Sequence, residues 1–91
     1  MSNIIVEHAP GEQRLKELGV ADWPTWSKEI SVFPWYFDET EVAYVLEGEV
    51  VVTPEGGEQV RFGKGDLVTF PVGSSCTWEV KQPLLKHYWI D

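Results

Sequence analysis

Cysteine occurs once, at Cys76, and histidine twice, at His8 and His87. A single thiol cannot form an intrachain disulfide, so nothing in the composition marks an oxidising compartment. Basic residues are scarce: seven lysines and arginines stand against fifteen acids, a net charge of −8. That balance argues against nucleic acid, whose phosphates require a basic face, and against anionic membrane surfaces. Long apolar runs are missing too; none approaches the roughly 20 residues a membrane-spanning helix needs. The stretch from Met1 to Glu7 has no basic segment followed by an apolar one, so it does not read as a signal peptide. These absences predict a cytoplasmic protein without nucleic-acid or membrane partners. Also missing are an internal repeat, a phosphate-binding loop and a Ser/His/Asp series.

What is present is aromatic. Twelve of the 91 residues are Phe, Trp or Tyr, five of them Trp. Trp brings a large apolar area and one N–H that wants a partner, so these rings point to a core together with a ligand pocket or a subunit interface. The length predicts one domain over residues 1–91. A 10.4 kDa chain buries roughly 64% of its unfolded surface on folding, enough for one core without metal or disulfide staples.

Ile4 to His8 reads as a short strand ended by Ala9-Pro10-Gly11. Glu12 to Leu18 reads as a two-turn helix, with Leu15 and Leu18 on one face, Glu12 offered to Lys16, and Gly19 as the stop. Trp23-Pro24-Thr25-Trp26 reads as an extended aromatic clasp, because Pro24 biases Trp23 away from helix. From Trp26 to Asp91 the pattern is strand and turn. Strands are predicted over 27–32, bounded by Pro34, and over 35–38 and 41–46. A tight turn at Glu47-Gly48 leads to a strand over 49–53. Others follow over 58–62, 67–70, 76–80 and 84–90, the last two separated by Gln82-Pro83. Short strands at regular spacing with Gly/Pro turns mean a sandwich or barrel. A jelly-roll barrel would shield the edges of so many short strands.

Two stretches carry a specific pattern. Glu41-Val42-Ala43-Tyr44-Val45-Leu46-Glu47-Gly48 places a glycine seven residues after a glutamate. Gly65-Asp66-Leu67-Val68-Thr69-Phe70-Pro71-Val72-Gly73-Ser74-Ser75-Cys76 places Pro-x-Gly six residues after a glycine and Cys76 three residues beyond. Together they resemble the two motifs of the cupin superfamily, small jelly-roll β-barrels. With Trp-Pro-x-Trp before them and Lys-His-Tyr after, the chain is similar to short cupins grouped with the (S)-ureidoglycine aminohydrolase cupin domain. The resemblance, carried by Trp35 to Val80, implies an all-β, single-domain barrel, commonly dimeric, so a homodimer is expected; the strand pattern places the barrel mainly in residues 26–91. It also implies a metal held by a His-x-His pair, a Glu and a third His. Here the paired histidine positions fall on Trp35 and Phe37, or on Pro34 and Tyr36. Cys76 stands at the third, and of the usual ligands only Glu41 remains.

Strand alternation puts Glu41, Ala43 and Val45 on one face and Val42, Tyr44 and Leu46 on the other. Glu41 faces the lumen or sits solvated at a strand start; the motif favours the lumen, where burial would raise its pKa and suit it to acid–base work. Cys76 and Trp78 share an inward face, and Cys76 reads as an apolar filler ahead of a ligand or nucleophile. Lys86, taken as outward, turns His87 inward. Glu41, Cys76 and His87 could then form an open three-ligand zinc site. Asp66, after Gly65, reads as a turn cap.

Two functions follow. In the first, the protein binds a small, flat or cationic organic molecule without a metal, in an apolar slot lined by Trp35, Phe37, Tyr44 or Tyr36, Cys76, Trp78, His87 and Tyr88, with Glu41 as its one charge and candidate catalytic group. No cofactor is expected on this reading. In the second, a divalent metal on Glu41, Cys76 and His87 serves an aminohydrolase or isomerase acting on a small polar metabolite. A third reading is an interaction module whose lumen is packed solid.

Overall fold

The computed structural model describes residues 3–91; Met1 and Ser2 lie outside it. Its elements are β1 (Ile5–His8), α1 (Glu12–Leu18), a 3₁₀ turn (Val20–Asp22), β2 (Thr25–Lys28), β3 (Ser31–Tyr36), β4 (Glu41–Pro54), β5 (Val60–Gly63), β6 (Asp66–Phe70) and β7 (Ser75–Ile90). The chain is an all-β domain with one short helix, as the strand-and-turn pattern predicts. β1 pairs with β6, so residues ahead of Trp26 are built into the sheet rather than appended to it.

The helix has the predicted limits. Gly19 ends it in the left-handed conformation, φ 73°, and donates its N–H to the carbonyls of Leu15 and Lys16. The expected Glu12–Lys16 pair is absent among the described ion pairs; instead Arg14 reaches back to Glu7 on β1 at 2.9 Å. The hydrogen bond from that guanidinium holds the Glu7 carboxyl below its usual range.

Two expected breaks are not breaks. β4 runs unbroken through Glu47-Gly48, where a tight turn was expected, and β7 runs through Gln82-Pro83. The two strands pair antiparallel along almost their whole length, with register shifts between Val45 and Val50. Gly48 marks that bulge with φ 111°, and a Cβ there would lie 2.6 Å from the Pro83 carbonyl oxygen and 2.9 Å from the Leu84 Cα. A glycine is therefore required by close backbone approach as well as by its dihedral. Among the described residues Pro83 has no register partner, so its missing N–H interrupts no ladder bond there. Pro34 lies inside β3 rather than ending a strand. β3 pairs only with β7 among the described strands, so this proline sits on an edge, where it is tolerated.

Because both long strands bend at the bulge, each serves two half-sheets. Residues 41–45 of β4 and 84–90 of β7 join β6, β1 and β2. Residues 49–54 of β4 and 75–82 of β7 join β5 and β3. The core lies between the halves: Val45, Val50, Val52, Val68, Phe70, Trp78, Val80 and Leu84 are all at most 2% exposed. The outward face of the first half-sheet is covered in part by the N-terminal segment. Val20 is buried, Trp23 stacks on Trp89 at 6.2 Å between centroids, and the Tyr88 N–H donates to the Pro24 carbonyl.

Candidate functional site

Inward positions of β4 are Glu41, Ala43 and Val45, all buried. On β7 the buried positions are Cys76, Trp78, Val80, Leu84 and Lys86. The even-numbered phase lapses at the exposed Gln82 and resumes beyond Pro83, so Lys86 points inward at 5% exposure. This reverses the expected parity, in which Lys86 faced solvent and His87 faced the lumen. Polar residues usually face out, but the lysine here has a partner: its Nζ donates to Glu41 Oε2 at 2.6 Å. Both side chains are less than a tenth exposed. A buried charge is tolerated when paired in this way.

The ammonium lies among rings. It sits 4.9 Å from the Trp78 centroid, 5.1 Å from that of Trp26 and 5.9 Å from that of Phe70, within cation–π range. Burial pushes the Lys86 ammonium below the ordinary lysine range, against the pull of the Glu41 carboxylate.

Above the pair is a cavity of about 240 Å³, reached by Glu41 and Lys86 and walled by Trp26, Phe33, Trp35, Trp78, Tyr88 and Ile90. Trp35 and Ile90 are 47% and 40% exposed and stand at its mouth. The buried Trp78 Nε1 has no hydrogen-bond acceptor among the described residues. The result is an apolar slot with one neutralised ion pair at the edge, and Glu41 is not its one charge.

Of the residues expected to line the slot, the structure brings together Trp35, Glu41, Trp78 and Tyr88. Phe37 is buried in the core, stacked on Phe70 at 4.7 Å. Its backbone is tied to the Pro71-Val72-Gly73 turn by bonds to Gly73 and Ser74. Tyr44 lies on the outward face of β4, opposite Leu67 and His87. Tyr36 is largely exposed. Cys76 is buried beside a separate open groove with Pro34, Trp35 and Tyr36, and burial pushes its thiol pKa up. His87 is half-buried on the outward face, its Nδ1 2.8 Å from the Trp23 carbonyl oxygen. Asp66 caps its turn, accepting from the Gly63 N–H at 2.9 Å and meeting His8 at 3.0 Å.

Sequence reasoning missed Lys86, Phe33, Ile90 and the role of Trp26. One signal was present: continuing the inward alternation of Cys76, Trp78 and Val80 through Leu84 lands on Lys86 and Tyr88. The Gln82-Pro83 dipeptide masked it by suggesting a strand end.

The metal usual in cupins does not fit this site. Trp35 and Phe37 offer no lone pair to an ion, and Glu41 is engaged by an ammonium. Cys76 and His87 lie elsewhere, and no cluster of three or more His, Cys, Asp or Glu side chains suited to a metal occurs among the described residues.

A bent jelly roll of this size, with its slot between the half-sheets, defines a small cupin. The chain belongs to the EutQ-like cupin family, whose model matches residues 15–88. A DUF861-family protein of Thermotoga maritima is 48% identical over 98% of this chain and 100% of its own, with a TM-score of 0.95. A putative ethanolamine utilization protein Q of Salmonella typhimurium is 30% identical over 72% of this chain, with a TM-score of 0.65; the match spans 53% of that protein. The EutQ protein of Clostridium difficile, at 18% identity and a TM-score of 0.67, shares the fold. No curated protein matches this chain. No helix among the described residues is long and apolar enough to cross a membrane.

Proposed function

We propose that this cupin binds a small, flat, largely apolar organic molecule in the slot between its half-sheets, with the Lys86–Glu41 ion pair in place of a metal centre. The observation that carries the reading is the cavity of about 240 Å³ set over that pair. Aromatic walls with a few convergent polar groups are what ligand sites are made of. The volume lies below the ~300–1,000 Å³ usual for drug-sized ligands, so the molecule is small. Because Lys86 already neutralises Glu41, a cationic ligand has less to gain than the carboxylate alone would offer.

The test is a titration of ¹⁵N-labelled protein with ring-bearing fragments such as benzyl alcohol. The indole N–H resonances of Trp26 and Trp78 are expected to shift ahead of that of Trp23 on the outer face. Shifts confined to the outer face would refute the reading.

A metal-dependent enzyme of the ureidoglycine aminohydrolase type requires Glu41, Cys76 and His87 around one ion. Their separation disfavours it; stoichiometric metal lost on Glu41→Gln would revive it. The homodimer expected from the resemblance is also a proposal. Exposed Ile30, Val32 and Tyr36 support it, and light scattering at micromolar concentration tests it.

A further inference from the structure

Lys86 is a buried amine whose side chain lines a cavity, and its sole hydrogen-bond partner among the described residues is a carboxylate. Lys16, Lys64 and Lys81 are exposed, and Lys28 is about a third exposed and lies beside Glu29. An ion pair serving stability alone gains nothing from a cavity beside it, and replacing such a pair with apolar residues is often neutral or stabilising. The neighbouring cavity is walled by rings and the amine itself is buried, a setting in which a lysine becomes a nucleophile by desolvation.

We infer, resting on the binding reading above, that the Lys86 amine condenses reversibly with small ring-bearing aldehydes or ketones, forming an imine inside the slot. The step balances within the pair. The ammonium passes one proton to Glu41 across the 2.6 Å contact, freeing the nitrogen lone pair. That lone pair attacks the carbonyl carbon, and the carbon–oxygen π bond opens onto oxygen. Glu41 carries a proton from nitrogen to oxygen, giving the carbinolamine. The carboxyl then protonates the hydroxyl, which leaves as water while the nitrogen lone pair closes the C=N bond. The products are a protonated imine, a carboxylate and one water, with no oxidant or reductant consumed. The imine nitrogen keeps the positive charge of the lysine, so Glu41 is not left as a lone buried anion when the reaction ends. The stem of the adduct would lie where the ammonium lies now, against Trp26 and Trp78, and the ring would occupy the slot.

The experiment is reductive trapping: native protein with benzaldehyde and cyanoborohydride, followed by intact mass and peptide mapping. One benzyl group per chain is expected at Lys86, installed about tenfold faster than at any other lysine, with the reaction slowed by benzyl alcohol. Lys86→Arg keeps a cation beside Glu41 but cannot form an imine, so it should lose that adduct and keep background labelling of the surface lysines. Labelling spread over Lys16, Lys28, Lys64 and Lys81 with Lys86 unmodified overturns the inference, and this wild-type readout does not depend on the variant folding. Benzyl alcohol separates the two claims. If it shifts the Trp26 and Trp78 indole resonances while Lys86 stays unlabelled, the slot binds rings and the imine chemistry is wrong. If neither resonance shifts and Lys86 stays unlabelled, both readings fall.

Discussion

Lys86 and Glu41 meet although they are not register partners: Glu41 lies opposite Ile90, and Lys86 opposite Val45. Four positions separate them along the ladder, about 13 Å of strand, so both side chains must run along the strands to close a 2.6 Å contact. The inward residue between them on β4 is Ala43, fully buried. Its methyl group leaves room over that rung for the lysine stem.

The pair should behave as a unit. Lys86→Met and Glu41→Leu are each expected to lose about 3–5 kcal/mol, because each leaves a buried charge alone. The double variant should recover most of that loss, giving a coupling far outside additivity. Urea denaturation of the four proteins measures it, and additive losses would show that the two groups do not share one site.

Ala43→Leu should cost about 1–3 kcal/mol by overpacking and should displace the lysine stem. Val42→Leu, half-buried on the opposite face, should stay within about 0.5 kcal/mol. Thermal melts of the two variants compare the faces directly, and equal effects would contradict the stem's path over Ala43.

Gly48→Ala should destabilise by more than about 2 kcal/mol, from strain at positive φ and from displaced backbone. Gly73→Ala, at φ 87° with open space around its Cβ position, should cost about 1 kcal/mol from the dihedral alone. If both variants melt at the same temperature, close approach at the bend does not matter.

Cys76 should be a slow thiol. Burial disfavours its thiolate, so disulfide reagents at pH 7 should modify the folded chain at least about tenfold more slowly than the urea-unfolded chain. The linkage follows in sign. A raised folded pKa gives stability that is complete below about pH 8.5, where the unfolded thiol keeps its proton. It is lost as pH rises through the folded value. Reaction at the rate of a free thiol would remove the filler assignment.

Local chemistry told most of the fold. The helix from Glu12 to Leu18, the glycine stop at Gly19, the turns around Gly65 and Gly73 and the alternation in β5 are set by neighbouring residues and can be read from the sequence. The indole at Trp35 and phenyl at Phe37 likewise establish, without any coordinates, that the usual histidine pair is missing. Tertiary structure decided the site. Gly48 and Pro83 each look like a break in sequence; only their contact shows one bend shared by two long strands. That continuity carries the inward phase of Trp78 and Val80 on to Lys86, and register then delivers Lys86 to Glu41, 45 residues away in the chain. Alternation is a two-residue rule and cannot say whether phase survives a proline. Pairing across the sheet, which includes residues far apart in sequence, is what settles it.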